Sequence, residues 1–210
     1  MLDSRGFDLW AGAYDQSVQD ADENNEYPFA GYMALMNAVY GTVMQGAPAN
    51  VLDVGIGTAL LSKKLYDAGC TVTGIDFSAE MLLQAQNKMP NARLLAWDFS
   101  LGVPPAIMGE SFDYILSTYA LHHLEPEAQT ACIRALLKLL HFQGRMLIGD
   151  VCFATRVALD KCRAASGDCW DDEENYIVLS ALQSTFPGYQ TSYQAMSFCA
   201  GVIEITNKPA

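Results

Sequence analysis

The sequence predicts an α/β fold: an open, mostly parallel sheet with helices on both faces, an antiparallel C-terminal edge and an N-terminal helical cap. Three observations carry that expectation. Val51 to Val54 is a short strand-like run, apolar except for Asp53, which passes straight into Gly55 and Gly57 and then into a helical pattern. Strand-like and helix-like segments then alternate to about Val151, which implies parallel strands joined by right-handed crossovers. Two further strand patterns, near Tyr189 to Met196 and Phe198 to Thr206, read as a closing hairpin.

Taken in order, Phe7 to Val18 reads as a short helix with Phe7, Trp10 and Tyr14 at helical spacing, and Gln19 to Glu26 as a polar, acidic loop. From Pro28, the residues Phe29, Tyr32, Met33, Met36, Val39, Tyr40 and Val43 recur at spacings of three and four, until Gly46-Ala47-Pro48 breaks the pattern. The helix after the glycine turn ends near Ala68 with Gly69 as its C-terminal cap. Thr71 to Asp76 is a second strand ending in an acid. Ser78 caps a helix from Ala79 to Met89. Arg93 to Trp97 and Phe112 to Ser117 are the third and fourth strands. Pro126 suits the first turn of a helix whose Ile133, Leu136, Leu137 and Leu140 share a face. Arg145 to Val151 is the fifth strand, and Ala154 to about Phe186 reads as mostly helical. The acidic run Asp171 to Glu174 within it reads as a solvated face or a helix N-terminus.

Composition narrows the function. The chain has 210 residues, 51% of them apolar, enough for one domain with a sizeable core. We expect a single domain in which residues 1–48 form the cap and residues 49–210 the sheet core. A net charge of −12 with only 12 basic residues argues against a nucleic-acid partner, whose phosphates are neutralised by Lys and Arg. No run is long and apolar enough to span a bilayer, and the first ten residues carry acids, so neither a membrane partner nor a signal peptide is expected and a cytoplasmic location is. The six cysteines form no C-x-x-C pair, as suits reduced thiols. A small-molecule substrate is the expectation that remains.

The glycine turn and the acids at strand ends define the site. Glycines let the backbone take unusual dihedrals and let a ligand approach, and the new helix offers free N–H groups to an anionic part of a nucleotide-like ligand. Asp76, 21 residues beyond Gly55 and at the tip of the next strand, stands where an acid accepts the hydroxyls of a ribose. A dinucleotide fingerprint wants Gly or Ala at the sixth position of G-x-G-x-x-G. Here that position is Leu60, which speaks against NAD.

Val51 to Ala59 resembles the first motif of the class I S-adenosylmethionine-dependent methyltransferases, which have a Rossmann-like core. Asp76, Trp97-Asp98 and Phe112 to Ser117 follow in that family's order. Phe7 to Asp15 and Ser117 to Leu124 resemble a narrower group of small bacterial methyltransferases. The resemblance implies S-adenosylmethionine as cofactor, with Gly55 and Gly57 against its methionine portion and Asp53 supporting its amino group. It further implies Asp76 on the ribose hydroxyls, Phe77 and Met81 on the adenine face, and Asp98 beside Trp97 on the adenine amino group. Tyr14 closes over the methionine end, while Ser117 and Tyr119 border the methyl group. Ala59 stands where many relatives carry a third glycine, a methyl the turn should tolerate. The usual Gly-x-x-Pro-Gly-Gly turn before the fifth strand is replaced by Leu140 to Gly144.

Transfer of a methyl group from a sulfonium is an in-line displacement helped by a positioned, water-poor pocket. For an acceptor with an ionisable N–H, O–H or S–H group, His122 or His123 is the candidate general base. As neighbours they also resemble a metal pair, but no third ligand stands at metal-binding spacing, so no metal is expected. Tyr27, Phe29, Tyr32, Asp150, Phe153 and Trp170 are available to build the acceptor pocket. Two other readings fit the same chain: an NAD(P)-binding Rossmann oxidoreductase, and a non-catalytic S-adenosylmethionine-binding protein.

Overall fold

The computed structural model describes residue 22 and residues 24–209; the predicted helix from Phe7 to Val18, with Tyr14, lies outside the described residues. Helix α1 (Tyr32–Met44) begins after Gly31 and buries Tyr32, Leu35, Met36, Val39 and Val43. Strand β1 (Asn50–Val54) leads through the glycine turn to α2 (Leu60–Asp67), β2 (Thr71–Asp76), α3 (Ala79–Lys88) and β3 (Arg93–Ala96). Then come β4 (Phe112–Thr118), α4 (Pro126–Leu137), β5 (Leu140–Phe153), α5 (Arg156–Ser166), β6 (Ile177–Val178), α6 (Leu179–Thr185), β7 (Tyr189–Ala195) and β8 (Ala200–Asn207).

The sheet order is β3-β2-β1-β4-β5-β8-β7, with β6 paired to β5 off that path. Strands β1 to β5 pair in parallel, and β8 runs antiparallel to both β5 and β7, so the predicted open sheet and its antiparallel edge are present. The chain moves outward from β1 to β3 and returns to β4 on the other side of β1. That reversal opens a crevice beyond the carboxyl ends of β1 and β4, where ligands of such sheets bind.

Side chains alternate across the sheet. Leu52, Val54, Ile115, Met146 and Ile148 face one buried cluster with Ile133, Leu136 and Leu137 of α4. Val51, Leu116 and Leu147 face the other, with Leu35 and Val39 of α1 and Leu61 and Leu65 of α2. Two apolar layers thus clamp the parallel strands from both sides and hold their ends in place.

Two expectations need correction. Leu140 belongs to β5 rather than to the helix before it, and Leu140 to Gly144 is strand rather than turn. The pairing slips there: Phe112 stands opposite Leu140 but Tyr114 opposite Arg145, so the extra residues form a bulge that keeps the ladder going. The region after β5 is mostly helical, as expected, but residues 170–176 interrupt it with an irregular loop leading into β6. That loop matters for the site.

Candidate active site

The turn after β1 passes through Gly55 (φ 76°) and Gly57 (φ 53°), both in the left-handed region. The N–H groups of Gly55 and Ile56 both donate to the carbonyl of Ile75, at 2.8 and 3.0 Å, which ties the turn to β2. A Cβ added at Gly55 would lie 2.4 Å from the Cβ of Ala120, whereas one at Gly57 would meet nothing within 4 Å. The space beside Gly57 is therefore open. Ala59 also has positive φ, 64°, and caps α2 without a side-chain hydrogen bond.

Asp76 holds the turn from the next strand. One of its oxygens accepts the N–H of Gly57 and the other the N–H of Ser78, each at 2.9 Å. Ser78 caps α3 as expected, its hydroxyl accepting the N–H of Met81 at 3.2 Å. Asp53 lies beneath the turn. Its Oδ2 accepts the hydroxyl of Ser62 at 2.6 Å, and its buried Oδ1 has no hydrogen-bond partner among the described residues. Burial pushes the Asp53 carboxyl up to about 7, with the Ser62 hydrogen bond opposing and the charge of Asp76 adding to the rise. A buried, half-satisfied carboxylate of this kind is suited to a cationic guest.

These groups open into a cavity of about 540 Å³, a volume typical of small-ligand sites. Asp53, Gly55, Gly57, Asp76, Phe77 and Met81, predicted cofactor contacts, line one end together with Phe99. Tyr119, with Tyr27, Phe29 and Tyr32, lines the middle, and His122, His123, Glu174 and Tyr176 the far end. Tyr119 has φ 49° and packs its ring 5.2 Å from that of Tyr32 and 5.4 Å from that of Phe29.

Three predicted site residues among those described, Ser117, Trp97 and Asp98, are not brought into this lining. Tyr14 lies outside those described. Ser117 is fully buried and gives its hydroxyl to the carbonyl of Val54 at 3.0 Å. It sits on the same face of β4 as Ile115, opposite Leu116, and its neighbour Thr118 reaches the cavity instead. Asp98 is exposed and caps the next turn, accepting the N–H of Ser100 at 2.9 Å, while Trp97 gives its indole N–H to Gly102 at 2.8 Å. Of the proposed acceptor pocket, Phe153 and Trp170 pack behind the lining and Asp150 is buried behind His122.

The far end is a wall of histidines and carboxylates. Nδ1 of His122 lies 2.5 Å from Oδ1 of Asp150, an oxygen that also accepts the N–H of Val151 at 2.8 Å. Burial works to lower the His122 pKa, but the charge and hydrogen bond of Asp150, with Glu174 adding to them, raise it above its ordinary value. Nδ1 of His123 lies 3.0 Å from each oxygen of Glu174, and Nε2 of His122 lies 3.9 Å from Oε2 of the same residue. The loop carrying Glu174 is bound to the turn carrying the histidines: the N–H of Asn175 donates to the carbonyl of His122 at 2.8 Å, and Gln129 bridges the carbonyls of Leu121 and Asn175, each at 3.0 Å.

A sequence profile described as a methyltransferase domain matches residues 51–144. An uncharacterised methyltransferase of Geobacillus thermodenitrificans is 36% identical over 209 residues, covering 94% of each chain. The chain belongs to the class I S-adenosylmethionine-dependent methyltransferases. An uncharacterised methyltransferase of Bacillus cereus is 32% identical over 213 residues and 96% of each chain, so the methyltransferase matches these relatives across nearly its whole length.

Solved structures share the methyltransferase's fold. A DhpI complex with S-adenosylhomocysteine superposes with TM-score 0.69 at 15% identity, over 99% of this chain and 96% of that one. Magnesium protoporphyrin IX methyltransferase from Synechocystis PCC 6803 does so with TM-score 0.66 at 20% identity, over 86% and 85%. Family membership leaves the oxidoreductase reading without support, in line with Leu60 in the fingerprint. The residues that sequence reasoning missed are Phe99, Thr118, Tyr176 and Glu174. Of these only Glu174 carried a signal, its acidic run, and that run pointed to solvent. Asp171 to Glu173 are indeed exposed, but the side chain of Glu174 is only 13% accessible. Among the described residues no helix is long and apolar enough to cross a membrane.

Proposed function

We propose that the enzyme methylates a small-molecule acceptor bearing an ionisable N–H, O–H or S–H group, by in-line displacement in a water-poor pocket. The observation that carries this reading is one continuous cavity, with the glycine turn and two carboxylates at one end and the two-histidine wall at the other. S-adenosylmethionine supplies an electrophilic methyl group on a sulfonium, so no redox partner is needed.

The cofactor end fits that molecule. Asp53 offers its unpartnered oxygen to the ammonium group, and Gly57 keeps its Cβ space clear for the methionine portion. Asp76 accepts the ribose hydroxyls with lone pairs beyond those spent on Gly57 and Ser78. Phe77, Met81 and Phe99 form the apolar seat of the adenine. Tyr119 stands between the two ends and borders the methyl group, the role given by sequence to Ser117 as well. Tyr27, Phe29 and Tyr32 exclude water around the acceptor, which loses its proton at the wall formed by His122 and His123.

The test is thermal melting with S-adenosylmethionine, S-adenosylhomocysteine, NAD and NADP in parallel, followed by detection of S-adenosylhomocysteine release with a library of small acceptors. Ligand at about 100 times its dissociation constant adds about 2.7 kcal/mol. A shift with the adenosyl pair alone, and turnover with a small acceptor, is the expected result. A shift with NAD or NADP alone would overturn the reading, and binding with no turnover on any acceptor would leave a binding protein.

A further inference from the structure

We infer that His122, His123 and Glu174 hold a divalent metal ion of the zinc class at the acceptor end of the cavity, with an open position for the acceptor atom. This rests on the methyl-transfer reading above and deepens its acceptor end. One nitrogen from each histidine and one oxygen of Glu174 lie within 4.8 Å of one another. Ligand atoms 2.0–2.1 Å from a tetrahedral zinc stand roughly 3.3 Å apart. The distances of His123 and His122 to the same Glu174 oxygen, 3.0 and 3.9 Å, bracket that value.

The surroundings fit a metal better than they fit hydrogen bonds alone. Neighbouring residues on a helical turn do not face each other, yet the rings of His122 and His123 have centroids only 4.0 Å apart. Two imidazolium ions that close would repel, whereas two neutral imidazoles on one cation would not. His122 gives Nδ1 to buried Asp150, which leaves Nε2 as the lone pair facing the cavity. That carboxylate-histidine arrangement is the usual support of a histidine ligand. Asp150 and Glu174 supply two negative charges, which a divalent ion balances. Gln129 and Asn175 clamp the two ligand-bearing segments together without touching the donors.

The three ligands leave the fourth position to the cavity beside Tyr119 and Tyr176. An acceptor atom X bound there loses its proton to water at this wall, not to either histidine, whose lone pairs are taken by the ion; the metal–X bond forms as the X–H bond breaks. Its lone pair then forms the X–CH3 bond while the carbon–sulfur bond breaks and that electron pair stays on sulfur. Atoms and charge balance without any further reactant.

The experiment is calorimetric titration of chelator-stripped full-length protein with Zn2+ alone, with S-adenosylmethionine titrated in a parallel run. The expected result is uptake of one equivalent, weakened at least tenfold in both His123→Ala and Glu174→Gln, with cofactor affinity retained. Asp150→Asn should weaken it about ten- to hundredfold through the supporting hydrogen bond. Cys169, the exposed thiol lining the same cavity, is the competing ligand, and Cys169→Ser should leave zinc binding unchanged. Should His123→Ala fold poorly, the isosteric Glu174→Gln carries the test. No stoichiometric uptake, uptake that survives Glu174→Gln, or uptake lost in Cys169→Ser would overturn the metal site. Failure of wild-type protein to bind S-adenosylmethionine would instead overturn the methyl-transfer reading.

Discussion

Ser62 donates its hydroxyl to Oδ2 of Asp53 at 2.6 Å, from the first turn of α2 to the strand beneath it. The bond satisfies one oxygen of a buried carboxylate and leaves the other without a hydrogen-bond partner among the described residues. With its pKa pushed up to about 7, Asp53 binds a proton more tightly folded than unfolded. Its contribution to stability is therefore complete below the ordinary carboxylate value and is lost as pH rises through about 7. On the proposed function cofactor binding runs the other way, because an ammonium guest at Asp53 needs the ionised form.

Affinity for S-adenosylmethionine should thus fall on acidification, on the order of tenfold at one pH unit below the Asp53 pKa relative to well above it. Calorimetry across that range checks it. Asp53→Asn should bind more weakly at high pH and show a flatter profile; a wild-type affinity that rises with acid would remove Asp53 from the ammonium site.

Asp76 both lines the cavity and ties down the turn. Asp76→Ala should lower cofactor affinity on the order of 100-fold, since charge-assisted bonds are worth about 1.5–3 kcal/mol each. It should also lower stability, because the N–H groups of Gly57 and Ser78 lose their acceptor. Urea unfolding beside calorimetry separates the two effects, and a variant with undiminished affinity would refute the ribose assignment.

Gly55 and Gly57 should respond differently to alanine. Gly55→Ala drives a methyl group into Ala120 and should cost about 1–3 kcal/mol in overpacking, on top of left-handed strain. Gly57→Ala meets no protein atom and should cost only about 1–2 kcal/mol from the backbone, while abolishing most cofactor affinity. Equal affinity in Gly57→Ala and wild type would mean that the ligand does not use that space.

Ala59 pays the left-handed cost in the natural chain. Ala59→Gly should raise stability by up to about 1 kcal/mol, the relief of strain being partly offset by greater freedom of the unfolded chain. A drop in the denaturation midpoint would show that packing of the buried methyl outweighs its backbone strain.

Much of this protein was legible locally. Alternation of apolar runs and helical stripes reported the parallel core, and the spacing of Gly55, Gly57 and Asp76 reported that the glycine turn and this acid meet at one end of the cavity, because dihedral preference and burial periodicity are properties of short segments. The two strand patterns near the C-terminus likewise announced the hairpin edge. Helix and strand boundaries held to within a residue at α3, β3 and β4, but failed at Leu140, where a bulge continues a strand that no local breaker foretells.

The acceptor end was decided only by the tertiary structure. Ser117 and Thr118 are neighbours of similar chemistry, and which of them reaches the cavity depends on which face of β4 packs against which helices. His122 meets Asp150 across 28 residues, and His123 meets Glu174 across 51. No spacing rule joins groups so far apart. Their meeting requires β4 and β5 to pair in the central sheet and the loop after α5 to fold back over the histidine turn, held there by Gln129 and Asn175. That is why a third ligand was invisible in the chain and stands beside the histidines in the fold.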